Sequence, residues 1–278
     1  GGQTLYELYE KAYTPWEWFP RLKKVADQHG IIFLCSAFDT TSVDMLEKVG
    51  VRAHKIASFE LPDLELIAYV AKTGKPLILS TGMASLDEIR DAVRIARRNG
   101  AVDIMLLKCV SSYPAAHSEM NLRTIPDIKR RFKCVVGLSD HSCGNEAAIT
   151  SVALGSQIIE KHFTLSRRHK TADSFFSLEP LEFAALSESV QKAHDALGAV
   201  QYSLTDGEKT SKIFRRSLFV VEDVRKGEKF ACHNVKCIRP AGGLAPKYIS
   251  KVLGKKATRT IRRGTPLSWN DIIFKEDI

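Results

Sequence analysis

Long hydrophobic runs are missing from this chain of 278 residues. No stretch approaches the roughly 18 consecutive apolar residues that a membrane-spanning helix needs. The opening residues, GGQTLYELYEK, are amphipathic and charged, unlike the apolar segment of a secretory signal peptide. We therefore expect a cytoplasmic protein with no membrane partner.

Cysteine is scarce, and its spacing excludes two kinds of small domain. None of the six cysteines belongs to a Cys-x-x-Cys pair, and they are too dispersed to form a dense disulfide framework. Such a pattern is typical of reduced thiols in the cytosol. The six are Cys35, Cys109, Cys134, Cys143, Cys232 and Cys237.

Acidic residues are few near the C-terminus. Between Arg215 and Gly264, fourteen Lys and Arg residues stand against three acidic ones, in a chain whose net charge is +9. Such a block can attract nucleic acid or a small anion, or it can be a solvated surface. Only Phe219, Phe230 and Tyr248 are available there to stack on bases, which argues against nucleic-acid binding.

A repeating unit is present in the first two thirds of the chain. Six short apolar runs start 22 to 31 residues apart, and helix signals lie between most of them. This alternation predicts parallel strands covered by helices. The runs are IIFLCS at 31, HKIAS at 54, PLILST at 76, IMLLKC at 104, VVGLSD at 135 and QIIEKH at 157.

The helix signals are mainly capping boxes. Thr14-Pro15-Trp16-Glu17 predicts a helix that ends at Gly30, and Ser85-Leu86-Asp87-Glu88 predicts one that ends at Gly100. A longer helix is predicted over 181–197.

Two folds fit the alternation, a closed (β/α)8 TIM barrel and an open doubly wound sheet. Polar residues follow nearly every run, and only a barrel collects all its strand ends around one mouth. We therefore favour the barrel, in which His141 and His162 face a common pocket. Eight strands are needed and six runs are found, so we expect the first two βα units to be missing from this chain.

The C-terminal part predicts a second, small, mostly β domain. We expect the barrel domain over 1–199, a linker over 200–214 and the small domain over 215–278. VEDVRKGEKFACHNV from 221 is similar to TRTIRRGTPLSWNDI from 258, an offset of 37 residues. The repeat pairs Val224 with Ile261 and Gly227 with Gly264, which predicts pseudo-twofold symmetry.

Two histidines, His141 in GLSDHS and His162 in EKHF, follow consecutive runs. Neutral imidazole is a common ligand of divalent metals, and two imidazoles leave positions for substrate and water. Glu160 lies two residues before His162 and so points to the same side. From the residues alone, a metal site and a structural role both stay open.

A lysine inside an apolar strand, Lys55 in HKIAS, is costly unless it meets an anion. Hydroxyls and a glycine turn in STGM can complete a phosphate site, while a Schiff-base or structural lysine is the alternative. In the small domain, the loop CIRPAGG places Arg239 beside glycines that allow close approach to a ligand.

Six segments together resemble the sialic acid synthase family: HKIASFE, LSTGM, LKCVSSYP, GLSDHS, ALGSQIIEKHF and DSFFSLEP. The small domain resembles the antifreeze-like (SAF) module of that family. The match covers nearly the whole chain, with its motifs in order. LYELYEKAYTPWEWF and DSFFSLEP look closest to the branch that makes pseudaminic acid.

The resemblance implies condensation of phosphoenolpyruvate with an acetamido-sugar aldehyde and release of phosphate. For this branch the sugar is 2,4-diacetamido-2,4,6-trideoxy-altrose. Synthesis of legionaminic or N-acetylneuraminic acid is the nearer alternative. A polyanion- or nucleic-acid-binding protein, and an inactive barrel with a structural role, are alternatives of other classes.

The resemblance also assigns expected roles. Glu160, Lys55 and Tyr113 are the expected catalytic residues, and Asp173 is expected to bind the sugar. Arg239 is expected to reach the sugar from the small domain of the other subunit, which implies a domain-swapped homodimer. Five serines are expected to bind phosphoenolpyruvate with Lys55: Ser36, Ser58, Ser80, Ser111 and Ser139.

A divalent metal, Mn or Mg, is implied on His141 and His162, where it polarises the aldehyde oxygen. The family begins with two strands that carry an active-site glutamate and an active-site lysine, and neither is found before the first run. We therefore expect little or no turnover from the 278-residue chain alone.

Overall fold

The computed structural model describes residues 4–274 and consists of two compact units. The first extends to Gly198, and the second begins at Ala199. Among the described helices, none has both the length and the apolar character to cross a bilayer.

Five parallel strands form the centre of the first unit. Each strand hydrogen-bonds to the next one along the chain. A doubly wound sheet reverses its strand order at a switch point, and this sheet does not, so the predicted barrel topology is confirmed. The described strands are β1 (His54–Ile56), β2 (Leu77–Ser80), β3 (Ile104–Cys109), β4 (Val135–Asp140) and β5 (Ile158–Lys161).

Helices connect and cover these strands. Most of the buried apolar residues lie between the sheet and its helices, including Leu77 and Leu79 of β2 and Ile67 of the helix before it. Ile78 and Ser80 alternate with these leucines and point to the other face. The helices are α1 (Leu5–Ala12), α2 (Phe19–Gln28), α3 (Thr40–Val49), α4 (Leu64–Ala71), α5 (Leu86–Arg98), α6 (Thr124–Phe132), α7 (Glu146–Ala153) and α8 (Pro180–Leu197).

The prediction of a first strand at residues 31–36 is wrong. This segment makes a single parallel bridge, from Ser36 to Lys55, and Ala37 N–H donates to the Lys55 carbonyl at 3.1 Å. The chain bends at residues 52 and 53, just before β1. Residues 31–35 therefore have no extended partner strand with which to form hydrogen bonds, and Ile31 stays 64% exposed.

One of the two predicted capping boxes forms. Ser85 Oγ accepts from Glu88 N–H at 3.3 Å, and Glu88 Oε2 accepts from Ser85 N–H at 2.7 Å. The predicted box at Thr14 is wrong, because Pro15 precedes a short 3-10 turn that has no side-chain cap. The α-helix begins only at Phe19, with a proline in its first positions, where its missing N–H costs nothing.

The second unit is small and mostly β, as predicted. Strand β6 (Ser217–Val220) pairs antiparallel with β7 (Val235–Ile238), and β8 (Lys256–Ala257) with β9 (Ile272–Ile273). Helix α9 (Asp206–Ser211) lies in the stretch predicted as a linker, and α10 (Ile249–Val252) precedes β8.

The predicted internal repeat is confirmed in the second unit. Val224 and Ile261 hydrogen-bond to each other reciprocally, at 2.9 and 2.8 Å. Gly227 and Gly264 both have left-handed backbones, with φ of +81° and +86°, a conformation that favours glycine. Val224 thus pairs with its own equivalent residue, as expected at a pseudo-twofold axis.

Candidate active site

The first and last strands of the sheet meet through their side chains. Lys55 Nζ of β1 lies 3.5 Å from Glu160 Oε2 of β5. Ser139, directly opposite Glu160 in β4, donates a hydrogen bond of 2.7 Å to the other carboxylate oxygen. Lys55 is 7% exposed, whereas the Glu160 side chain is 42% exposed. A nearly buried ammonium thus lies beneath a carboxylate that solvent and ligands can reach.

Hydroxyl groups from the loops after β1 and β3 form a cluster next to this pair of strands. Ser58 Oγ and Ser111 Oγ are 2.8 Å apart. Ser80, at the end of β2, is buried, and its Oγ has no hydrogen-bond partner among the described residues. Ser36 is bridged to Lys55. Buried hydroxyls normally have partners, so the unsatisfied Ser80 hydroxyl on the strand next to the Lys55 cation suits an anionic ligand.

Gly82 allows the three strand-end loops to approach one another. A Cβ built on Gly82 would lie 2.3 Å from Ser58 Cβ and 2.5 Å from Ser111 Oγ. Its φ of +35° also disfavours other residues. The STGM motif therefore has a steric function here, because any side chain at this position would push the hydroxyl cluster apart.

The two candidate metal ligands are neighbours in space. The ring centroids of His141 and His162 are 5.2 Å apart. Nδ1 of His141 lies 2.8 Å from the Val110 carbonyl oxygen. Nδ1 of His162 lies 3.5 Å from Asp173 Oδ2. Nδ1 of His141 is hydrogen-bonded to a carbonyl and Nδ1 of His162 faces a carboxylate, which leaves Nε2 of each ring as the nitrogen for a ligand.

These residues fit a divalent metal with an open coordination sphere. In the part of the chain that the structure describes, no group of three or more His, Cys, Asp and Glu residues is arranged to hold an ion. The protein contribution is thus two imidazoles, each oriented by an oxygen at Nδ1. Two such ligands leave most positions to water and substrate, as a catalytic metal requires.

The two histidines differ in their electrostatics. Burial lowers the pKa of His162, and the nearby charge of His141 lowers it further, against the opposing effect of Asp173 and Glu160. Burial also acts against protonation of His141, but its contacts with Cys109 and the Val110 carbonyl outweigh that and raise its pKa. His162 is therefore the more readily available as a neutral ligand.

Aromatic rings form one wall of the site. The Tyr113 ring lies 4.2 Å from that of His141 and 5.8 Å from that of Phe176, between centroids. Phe176 is buried and lies 4.8 Å from His162. Burial raises the pKa of Tyr113 to about 12, helped by the charges of Cys109, Asp173 and Glu160. The phenol is therefore a neutral hydrogen-bonding group at any working pH.

Sequence reasoning missed several residues of this site. Glu60, five residues after Lys55 in HKIASFE, is half-buried, and burial raises the pKa of its carboxyl. Cys109 Sγ lies 3.8 Å from His141 Nδ1. Phe176 is part of the aromatic wall. The sequence offered one indication of each. Glu60 and Cys109 lie near the ends of predicted strands, and Phe176 lies in the DSFF segment that begins at Asp173.

Two predicted sugar-binding residues lie in different surroundings. Asp173 is exposed and lies next to His162, so it joins the histidine pair. Arg239 is an exposed residue that follows β7 in the second unit. Lys55 lies within β1, and Ser36 is bridged to it from the segment before β1. The remaining predicted site residues of the first unit lie in the C-terminal halves of the strands or in the loops that follow.

Parallel strand ends that combine a buried lysine, hydroxyls and two histidines are typical of a barrel enzyme for anionic substrates. The fold is similar to the crystal structure of "N-acetylneuraminic acid (Sialic acid) synthetase" from Leptospira borgpetersenii serovar Hardjo-bovis, in complex with citrate. The identity is 33% and the TM-score 0.70, over 76% of this chain and 74% of that one.

The chain belongs to the NeuB family, which residues 1–202 match, and residues 215–273 match the SAF domain. It is 42% identical over 267 residues to "Pseudaminic acid synthase" of Campylobacter jejuni serotype O:2, covering 96% of this chain and 78% of that protein. The "Pseudaminic acid synthase" of Helicobacter pylori is 40% identical over 271 residues, covering 97% and 80%. The expected family and its C-terminal module are thus confirmed.

Proposed function

We propose that this protein condenses phosphoenolpyruvate with 2,4-diacetamido-2,4,6-trideoxy-altrose to give pseudaminic acid and phosphate. The observation that carries the proposal is the convergence of Lys55, the Ser58–Ser111 pair and the two histidines at one end of the parallel strands. The names of the relatives support the choice of product.

The proposed reaction forms one carbon–carbon bond, and at carbon 2 it replaces the bond to the phosphate oxygen by a bond to the oxygen of water. Carbon 3 of phosphoenolpyruvate attacks the aldehyde carbon, and the aldehyde oxygen takes up a proton. Water then adds at carbon 2 and loses a proton. The resulting tetrahedral intermediate breaks its bond to the phosphate oxygen, and the proton of the new hydroxyl passes to the departing phosphate, which leaves a ketone and inorganic phosphate.

Lys55 and the hydroxyl cluster would bind phosphoenolpyruvate. The ammonium is nearly buried and has Glu160 as its only ion-pair partner within the described residues, so a phosphate or carboxylate is its natural further partner. Ser80 Oγ lacks a partner there and would donate to the same anion. Ser36 and Ser139 flank this position on either side, beside Lys55 and Glu160.

Glu160 would move protons in the reaction. Its carboxylate is exposed on one side, and on the other it is held by Ser139 and Lys55. A carboxylate so fixed can accept the proton that water loses and return it to an oxygen nearby. Tyr113, with its neutral phenol, would donate a hydrogen bond to the sugar.

His141 and His162 would hold the divalent metal, Mn or Mg, through Nε2. When bound, such an ion supplies Lewis-acid polarisation of the aldehyde oxygen. The chain itself orients the two rings, through the Val110 carbonyl and Asp173. We favour Mn²⁺ because Mg²⁺ prefers oxygen ligands to imidazole.

Arg239 would complete the sugar site from the partner subunit in a domain-swapped homodimer. Its exposure and its place in the basic second unit support this. The basic block would then serve a small anionic ligand rather than nucleic acid. The six free cysteines are consistent with the reducing cytoplasm, where we place the protein.

A panel of sugars tests the proposal. Purified protein extended by the two expected leading strands, with phosphoenolpyruvate and Mn²⁺, is offered the altrose derivative, the sugar precursor of legionaminic acid, or N-acetylmannosamine. Phosphate release and product mass are followed, and the same extended protein serves for every kinetic test below. We expect the altrose derivative to give the highest kcat/KM. Preference for another sugar would assign the chain to that synthase, and phosphate release with none of them would refute the proposal.

A further inference from the structure

Behind the two histidines, on the opposite face of the sheet, lies a buried ion pair. Asp140 and Lys161 are the last residues of β4 and β5 and stand directly opposite each other in the parallel register. Lys161 Nζ lies 2.8 Å from Asp140 Oδ2, and the two side chains are 1% and 0% exposed. Each residue is followed at once by one of the histidines, His141 and His162.

The same pair fixes the chain on the far side of His141. Asp140 Oδ1 accepts hydrogen bonds from Ser142 N–H at 2.8 Å and from Ser142 Oγ at 2.7 Å. Lys161 Nζ also donates to the Ser142 carbonyl oxygen, at 2.5 Å. Asp140 and Ser142, the neighbours of His141 in the chain, are therefore both fixed by hydrogen bonds. Lys161, which contacts both of them, is the residue that precedes His162.

Strand alternation links this outer pair to the inner site. Ser139 and Glu160, one position earlier, face the inside and share a hydrogen bond of 2.7 Å. Asp140 and Lys161 face outward, and the histidines again face inward, with ring centroids 5.2 Å apart. Cross-strand contacts thus join β4 and β5 on both faces just before the two strands separate.

Stability alone does not account for such a pair. Desolvating two charges costs free energy that their attraction only partly returns, and apolar pairs of similar volume are often as stable. In some proteins a buried polar or ionic pair instead specifies one arrangement among several. Here the arrangement it specifies is the spacing of the two strand ends that carry the histidines.

We propose that the Asp140–Lys161 ion pair is a positioning device that sets the separation of His141 and His162 for a shared divalent cation. The proposal rests on the metal-binding function proposed above. Neither residue of the pair touches the substrate or the ion. Both act through the backbone of the two residues that do. Outer-shell partners that hydrogen-bond metal ligands typically account for 10- to 100-fold in affinity, and we take that range as the expected size of this indirect effect.

The double variant D140N/K161M removes both charges and leaves no unpaired charge buried. The amide that replaces the Asp140 carboxylate would keep an acceptor for Ser142, so the local hydrogen bonds after β4 are retained. The ion pair that joins β4 to β5 is lost. Mn²⁺ affinity is measured by calorimetric titration and by the electron paramagnetic resonance signal of free Mn²⁺. We expect affinity to fall about 10- to 100-fold and excess Mn²⁺ to restore most of the turnover. The matched control is E188Q/K192M, which removes the exposed pair on α8 and leaves affinity unchanged.

The Mn²⁺ affinity of a folded variant separates positioning from a purely structural role, and thermal unfolding shows whether the variant is folded. A folded D140N/K161M protein with Mn²⁺ affinity within about twofold of wild type would overturn the proposal, whatever its melting temperature. If the double variant does not fold, Ser142→Ala removes only the Oγ bond to Asp140. A smaller loss of affinity is then expected, and unchanged affinity overturns the proposal. Absence of Mn²⁺ binding to the wild-type protein would instead refute the metal site itself.

Discussion

Lys55 and Glu160 lie 3.5 Å apart although they belong to the first and last strands of the five-stranded sheet. In a flat sheet, four strand spacings of about 4.8 Å would put them about 19 Å apart. The sheet is therefore strongly curled, and the curl converts a row of strand ends into a pocket. The contact joins the predicted anion-binding residue to the predicted proton-transfer residue.

Replacing Lys55 by Met tests the anion site. The change removes a nearly buried charge, so we expect the folded state to be no less stable than wild type. The expected loss is up to about 100-fold in kcat/KM, mainly through KM for phosphoenolpyruvate, since a charge-assisted hydrogen bond of about 1.5–3 kcal/mol is lost. Steady-state kinetics with either substrate varied distinguishes this from a general loss of activity.

Lys192→Met is the control for that variant, because Lys192 is exposed and pairs only with Glu188 among the described residues. Its kinetics should match wild type. If Lys55→Met retained the wild-type KM for phosphoenolpyruvate, the anion-binding role of Lys55 would be wrong.

Local pattern predicted much of this fold because strand and helix alternation is a property of short segments. The strands at 54, 76, 104, 135 and 157 and the Ser85 capping box were all visible in this way. The run at 31 was misread because its apolar composition is that of a strand, whereas a strand also requires a partner. That partner is lost where the chain bends at residues 52 and 53.

The site was predictable to the extent that its residues follow strand ends. Lys55, Glu160 and the histidines were found in this way. The nearness of Asp173 to His162 depends on the path of a loop. The ion pair of Asp140 and Lys161 depends on the register between two strands. No single segment encodes either. Glu60 was missed because an acid in a loop looks like an ordinary surface residue until its burial is known.

Gly82→Ala should both destabilise the first unit and lower activity. The new Cβ would clash with Ser58 and Ser111 and would have to adopt a positive φ, which together cost about 2–4 kcal/mol. Gly50→Ala is the matched control, since Gly50 has φ of +80° but nothing within 4 Å of an added Cβ. It should cost only about 1–2 kcal/mol and leave kcat/KM intact. Equal melting temperatures for the two variants would contradict the steric role of Gly82.

Glu60→Gln should raise the melting temperature at pH 7. Burial raises the pKa of Glu60 in the folded state, so the folded protein holds this proton more tightly than the unfolded chain does. The stabilisation from that proton is present below the unfolded pKa of about 4.3 and is lost as the pH rises through the folded value. Glutamine removes the penalty of the charged form at neutral pH.

The advantage of Glu60→Gln should therefore shrink as the pH falls from 7 towards 4. Thermal unfolding at a series of pH values measures it, with the exposed Glu188→Gln as a control that shows no such trend. A variant that is less stable than wild type at pH 7 would show that the Glu60 carboxylate has a stabilising partner.

Tyr113→Phe should reduce kcat/KM for the sugar by up to about 10-fold, the value of one neutral hydrogen bond. The ring stays against His141, so folding and Mn²⁺ affinity should not change. Because the pKa of Tyr113 is about 12, the wild-type pH–rate profile should show no ionisation from this residue below pH 10. A basic limb that disappears in the variant would mean that the phenolate takes part.

Mixing two inactive variants tests the proposed subunit exchange. Lys55→Met disables the barrel and Arg239→Ala the second unit, and each homodimer should be nearly inactive. If the second unit serves the barrel of the partner subunit, a mixed dimer contains one site with both wild-type residues. Random exchange should then restore about one quarter of wild-type activity. If each subunit used its own Arg239, every site in the mixed dimer would carry one defect, and mixing would restore nothing.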